Sequence, residues 1–244
     1  MLSKSQIKLI TSLQQKKYRN KLGLFVAEGP KVIHELIDAG LNIYELFSIE
    51  KGLFEQNVVQ LISEKELSKI SFLKNANNSV AVFKIPKNKN ESENGIILAL
   101  DAIRDPGNLG TIIRLCDWFG LSKLVCSKDT VDCYNPKVIQ ATMGSIARLT
   151  IDYVNLSEYI KNSKLPIIVT EMKGENIYQQ SLPENAIIVL GNEANGISDE
   201  IMRLATNKIS IPQFGIKQET ESLNVATATA IVLSEFKRFT EPLN

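Results

Sequence analysis

From residue 95 onward the apolar residues come in short unbroken runs, at 96–100, 123–126, 166–170, 186–190 and 208–211. Stretches with helical spacing lie between them, at about 109–119, 136–149, 157–163, 198–205 and 224–239. Unbroken apolar strands alternating with helices predict a parallel sheet covered on both faces. Ligands of such sheets collect beyond the carboxyl ends of the strands, so the polar residues that follow each run are where chemistry is expected.

The first part of the chain is patterned differently. Pro30 follows Glu28-Gly29 and opens a helix whose apolar residues Val32, Ile33, Leu36 and Ile37 share one face, with Gly40 stopping it. Residues 46–49 and 80–83 are strand-like, which predicts a small α/β domain. His34, the single histidine, lies off the apolar helix face and is expected at the surface. Residues 85–95 are polar between Pro86 and Gly95 and predict a linker, hence two domains, 1–92 and 93–244.

Charge changes this picture at the amino end. Residues 1–94 carry 14 Lys and Arg against 10 acids, whereas residues 95–244 carry 14 against 17. Lys4, Lys8, Lys16, Lys17, Arg19 and Lys21 precede the first acid of the chain, Glu28. Such a block can neutralise phosphates by counterion release, and it can equally be a solvated helix face. No apolar run approaches the ~20 residues of a membrane span, and residues 1–10 lack the apolar core of a secretory signal, so a cytoplasmic, non-membrane protein is expected. Cys116, Cys126 and Cys133 form no CxxC pair, so small buried thiols are expected and a zinc site or disulfide framework is not.

Candidate chemistry lies after the runs. After 96–100 comes Asp101-Ala-Ile-Arg-Asp-Pro-Gly-Asn108, turn chemistry that delivers Asn108 to a helix start, with Arg114 further along it among apolar neighbours. Arg114 can be a functional guanidinium or a snorkelling cover for apolar surface. After 186–190 comes Gly191-Asn-Glu193, where Gly191 permits close backbone approach by a ligand and Glu193 can orient a substrate group. After 208–211 comes Pro212, then Ser222-Leu-Asn224 entering an Ala- and Thr-rich helix; Ser222 and Asn224 are also good cap residues. There is no GxGxxG, no GxxxxGK[ST] and no GxSxG, which disfavours dinucleotide, nucleoside triphosphatase and serine-hydrolase chemistry.

Together and in this order, these segments resemble the SpoU (TrmH-like) family of SPOUT RNA methyltransferases over residues 95–244. Asn135-Pro-Lys-Val-Ile-Gln-Ala-Thr-Met-Gly144 is similar to an intermediate segment of that family, and Phe25-Val-Ala-Glu-Gly-Pro-Lys31 to its small RNA-binding domain. The resemblance implies a parallel α/β sheet with a C-terminal trefoil knot, preceded by a small α/β RNA-binding domain, in a homodimer. It implies S-adenosylmethionine held by Gly191, Ile211 and Leu223, and a catalytic group of Asn108, Arg114, Glu193, Ser222 and Asn224. The implied reaction is metal-free 2′-O-methylation of a ribose in structured RNA, with ribosomal RNA the expected substrate. The alternatives are a transfer RNA substrate, or a non-catalytic RNA-binding or ribosome-assembly factor. Lys16, Lys17, Arg19 and Lys21 are the expected RNA contacts. Ala194 replaces a common glycine, and the 212–221 stretch is longer than the family's usual spacing.

Overall fold

A computed structural model describes residues 1–55, 59–87, 94–215 and 222–238. The expected 85–95 linker therefore falls largely outside the described residues, as does most of the long 212–221 stretch. The chain forms two compact units. The first contains Met1–Lys87 together with Asp132–Arg148, and the second the remaining described residues.

The first unit is built on a four-stranded sheet of order β1-β4-β2-β3, formed by β1 (Leu24–Glu28), β2 (Ile43–Ser48), β3 (Val59–Leu61) and β4 (Ser79–Lys84). β4 pairs antiparallel with β1 and β2, and β3 joins β2 in parallel. The central strand β4 buries Val80 to Phe83 completely, which is why its sequence is a continuous apolar run. The helices are α1 (Lys4–Ser12), α2 (Lys16–Leu22), α3 (Pro30–Asp38) and α4 (Glu64–Leu67). α3 starts with Pro30 in its first turn, buries Val32, Ile33 and Leu36, and is followed by Gly40 at φ 81°. His34 is exposed and stacks on Phe54 with ring centroids 4.5 Å apart. α1 and α4 each open with a capping box, Ser3 with Gln6 and Ser63 with Glu66.

The second unit carries a six-stranded, all-parallel sheet. Its chain begins with β5 (Ile96–Leu100), α5 (Pro106–Trp118) and β6 (Lys123–Ser127). The next segment, with α6 (Pro136–Thr142) and a 3-10 turn at Ser145–Arg148, clusters with the first unit, although a break at residue 92 would assign it to the second. The cause is local packing. α6 packs on β1, Tyr134 lies 4.9 Å from the Phe25 ring, and Asp132 pairs with Arg19. The expected helix at 136–149 is interrupted where Met143 and Gly144 take φ 51° and 96°. The chain then continues through β7 (Thr150–Val154), α7 (Leu156–Asn162), β8 (Ile167–Asn176), a 3-10 turn (Ile177–Gln179), β9 (Ala186–Leu190), α8 (Asp199–Met202), β10 (Asn207–Ser210) and α9 (Val225–Lys237). Strand order is β10-β8-β9-β5-β6-β7. Ile97, Ala99, Val125, Val169, Ile187 and Val189 join one core cluster on the face covered by α7 and α8. No described helix is long and apolar enough to cross a membrane.

Candidate functional site

In the six-stranded sheet, β5 and β9 are neighbours whose following connections run in opposite directions, β5 toward β6 and β9 toward β10. That reversal opens a crevice beyond their carboxyl ends. The two loops leaving these strands are tied together. Asp101, 8% exposed, accepts a hydrogen bond from the Ser198 amide at 2.8 Å. Asn192 donates through Nδ2 to the Ala102 carbonyl at 2.9 Å and accepts through Oδ1 from the amides of Ala194 and Asn195. Ala102 has φ 57°, a left-handed conformation costly for a residue with a Cβ, and the surrounding bonds hold it there.

These loops deliver the polar residues. Asp105 caps α5, accepting from the Asn108 amide at 2.8 Å, with Pro106 next in line. Asn108 Nδ2 donates to Glu193 Oε1, while its Oδ1 accepts from Asn224 Nδ2 at 2.9 Å. Asn224 simultaneously caps α9, its Oδ1 accepting from the amides of Ala226 and Thr227. Its two readings, helix cap and site residue, are thus compatible. Asn108, Glu193 and Asn224, which lie far apart in sequence, form one hydrogen-bonded row.

Glu193 also borders a cavity of about 530 Å3. Its wall comes from Thr170–Met172 in the middle of β8, from the ends of β9 and β10, and from Val225, Ala228 and Val232 of α9. Gly191, Ile211, Leu223 and Ser222 all line it. Gly191 differs from expectation in the reason for being glycine. A Cβ there would collide with the backbone of Gly196 and Ile197, so what approaches closely is the protein's own turn. Asp101, Ala102 and Asn192 are the positioning residues that sequence reasoning missed. Asn192 directly follows Gly191 in a singled-out motif, and its type, turn-favouring and able to bond backbone, was the available signal.

Arg114 stands apart from the row. It is exposed on α5, six residues and therefore about 9 Å of helix rise beyond Asn108, and no hydrogen bond or ion pair joins it to a described residue. Ser222 is exposed at the cavity and likewise has no described hydrogen bond.

The expected RNA contacts of the first unit divide. Lys16, Lys17 and Lys21 are exposed on α2. Arg19 is not available: it is 2% exposed, pairs with the Asp132 carboxylate through Nε and Nη2, and donates through Nη1 to the carbonyls of Leu13 and Gln14 at 2.8 and 2.9 Å. Those bonds use four of the five N–H donors and burial withdraws the group from solvent, so the reading of Arg19 as an RNA contact is corrected to a structural one. Cys116, Cys126 and Cys133 are buried thiols that form no disulfide, and burial raises the Cys116 thiol far above its ordinary value.

The fold and site together define a doubly wound α/β protein with a small-ligand cavity beside its topological switch point. Comparison with known proteins makes this specific. Residues 95–234 match the SpoU rRNA methylase family, and the chain belongs to that family. Residues 4–81 match the MRM3-like substrate binding domain. The 23S rRNA (guanosine(2553)-2′-O)-methyltransferase RlmP of Bacillus subtilis is 27% identical over 231 residues, 91% of each chain. The 23S rRNA (guanosine-2′-O-)-methyltransferase RlmB of Neisseria meningitidis serogroup B is 30% identical, covering 88% of this chain and 86% of its own. Among solved structures, an rRNA methyltransferase from Sinorhizobium meliloti with AdoMet bound superposes with a TM-score of 0.86 at 30% identity, over 99% of this chain and 97% of that one.

Proposed function

We infer that this protein methylates a ribose 2′-hydroxyl of ribosomal RNA, using S-adenosylmethionine. The observation that carries the reading is the hydrogen-bonded row Glu193–Asn108–Asn224, whose Glu193 borders the cavity beyond the carboxyl end of β9. The cavity fits the cofactor. Its volume of about 530 Å3 lies within the range of small-molecule pockets. Leu190, Ile197, Ile209, Val225 and Val232 offer apolar wall for an adenine ring, and the Glu193 carboxylate complements a cation. Gly191, Ile211 and Leu223 would hold it. When bound, the group supplies a methyl already activated on a positively charged sulfur.

The chain's own residues then act on the ribose. Asn108 is fixed from both sides, by Glu193 and by Asn224, so its amide stays oriented without rearrangement. Ser222, beside the cavity, adds a hydroxyl that can donate or accept. Arg114, exposed and without a partner among the described residues, presents a planar guanidinium suited to holding an RNA phosphate next to the reacting hydroxyl. Lys16, Lys17 and Lys21 add sequence-independent attraction to RNA. We also infer a C-terminal trefoil knot, which rests on membership of the SpoU family. A homodimer acting in the cytoplasm completes the reading; its support is the family, with the exposed Trp118 on α5 as a surface for a second copy.

The test is mass-spectrometric mapping of 2′-O-methyl sites in ribosomal RNA from cells with and without the protein, repeated with purified protein and unmodified transcript. Loss of one ribose methylation in the deletion and its restoration in vitro is the expected result. Unchanged methylation in both arms would favour the non-catalytic factor, and a site in transfer RNA would redirect the substrate.

A further inference from the structure

Tyr178 and Phe214 are large aromatic residues left in solvent, 42% and 83% exposed, with ring centroids 6.5 Å apart. Both sit one residue beyond a lining residue of the cavity, Tyr178 after Ile177 and Phe214 after Gln213, yet neither ring lines the cavity itself. They therefore flank its rim and face outward. Tyr178 is held firmly. Its 3-10 turn is anchored by Ile177, which is fully buried, and capped by Asn176, whose Oδ1 accepts from the Tyr178 amide at 3.0 Å. The turn also packs on α9. Phe214 follows Pro212, whose fixed φ limits the freedom of the segment leaving β10.

We propose that Tyr178 and Phe214 form a stacking platform for an unpaired base of the substrate RNA at the rim of the cofactor cavity. The proposal rests on the inference that the substrate is RNA. Sequence-selective RNA recognition targets bases splayed out of helices and stacked on aromatic rings, because the deep groove of an RNA duplex hides its base edges. A methyl acceptor in an RNA loop or bulge carries a base that has lost a regular stacking partner, and an aromatic face beside the cavity mouth replaces that partner. A lid over the cofactor's adenine is the competing occupant. It is disfavoured because the rings lie outside the apolar cavity wall.

The experiment compares wild type with Tyr178→Ala, Phe214→Ala and Phe214→Trp. Affinity for an unmodified 23S rRNA transcript is measured across salt, and S-adenosylhomocysteine affinity by calorimetry. Each alanine variant is expected to lose roughly tenfold in RNA affinity, with an unchanged salt slope because no ion pair is removed, and Phe214→Trp to recover most of it. S-adenosylhomocysteine affinity is expected to stay at the wild-type level throughout. RNA affinity within about twofold of wild type in both alanine variants would overturn the platform. Selective loss of S-adenosylhomocysteine affinity would overturn it in favour of a cofactor lid. A wild type that binds the transcript but transfers no methyl would overturn the activity reading alone, and a tenfold loss in the variants would still support the platform.

Discussion

Arg114 sits exposed on α5 with no described partner, so replacing it removes neither core packing nor an internal bond. Arg114→Ala is expected to lower single-turnover methyl transfer by about two orders of magnitude or more while leaving thermal melting and S-adenosylhomocysteine affinity unchanged. Arg114→Lys should fail nearly as badly, because a compact ammonium cannot reproduce a planar two-pronged contact with phosphate. A fully active lysine variant would show that the residue is only a solvated cover for α5. Asn108 and Glu193 stood out in the sequence because they follow apolar runs. Their connection did not, since Glu193 is 85 residues from Asn108, and Asn224 is 116. Arg19 misled for a related reason. Its charge is legible in a basic block, but the acid that consumes it, Asp132, lies 113 residues away.

At the level of elements, the strands that carry the site were legible because they are buried on both faces: β5 and β9 are apolar at every position. The edge strand β7 was not, because Thr150, Asp152 and Tyr153 remain partly exposed and break the run. β9 leads into the turn at which Gly191 meets Gly196 and Ile197. Gly191→Ala is expected to force that turn open, lowering the melting temperature and weakening S-adenosylhomocysteine binding together. Wild-type values of both in a calorimeter would show that the turn relaxes freely. The first unit gives a separate test. Glu66 caps α4, and the Ser63 and Leu2 amides hold its carboxyl at about 2, below its ordinary 4.5. A carboxylate depressed by folding stabilises the native state above the ordinary value, and that contribution fades as pH falls from about 4.5 toward 2. Urea midpoints of wild type and Glu66→Gln should therefore converge over that window. A constant gap between them would detach Glu66 from acid sensitivity.

For the whole molecule, the division into a basic amino-terminal part and a parallel α/β part was readable from charge and periodicity, whereas the membership of residues 132–148 was not. Nothing in their apolar spacing distinguishes packing on β1 from packing on the parallel sheet. The RNA contribution of the first unit is testable with Arg19 left in place. Replacing Lys16, Lys17 and Lys21 by Gln is expected to make the salt dependence of RNA binding shallower, by up to roughly 0.7–0.9 for each phosphate no longer neutralised. Cofactor affinity should not move, and an unchanged slope would assign these lysines to solvent. The return of residues 132–148 to the first unit also sets the order of events on the ribosome. The unit's early strands emerge first, but the carboxylate that neutralises Arg19 and the helix that covers β1 are made only after about 45–60 further residues. At synthesis rates of roughly 5–20 residues per second, that is on the order of 2–12 seconds during which the nascent unit waits with one flank uncovered.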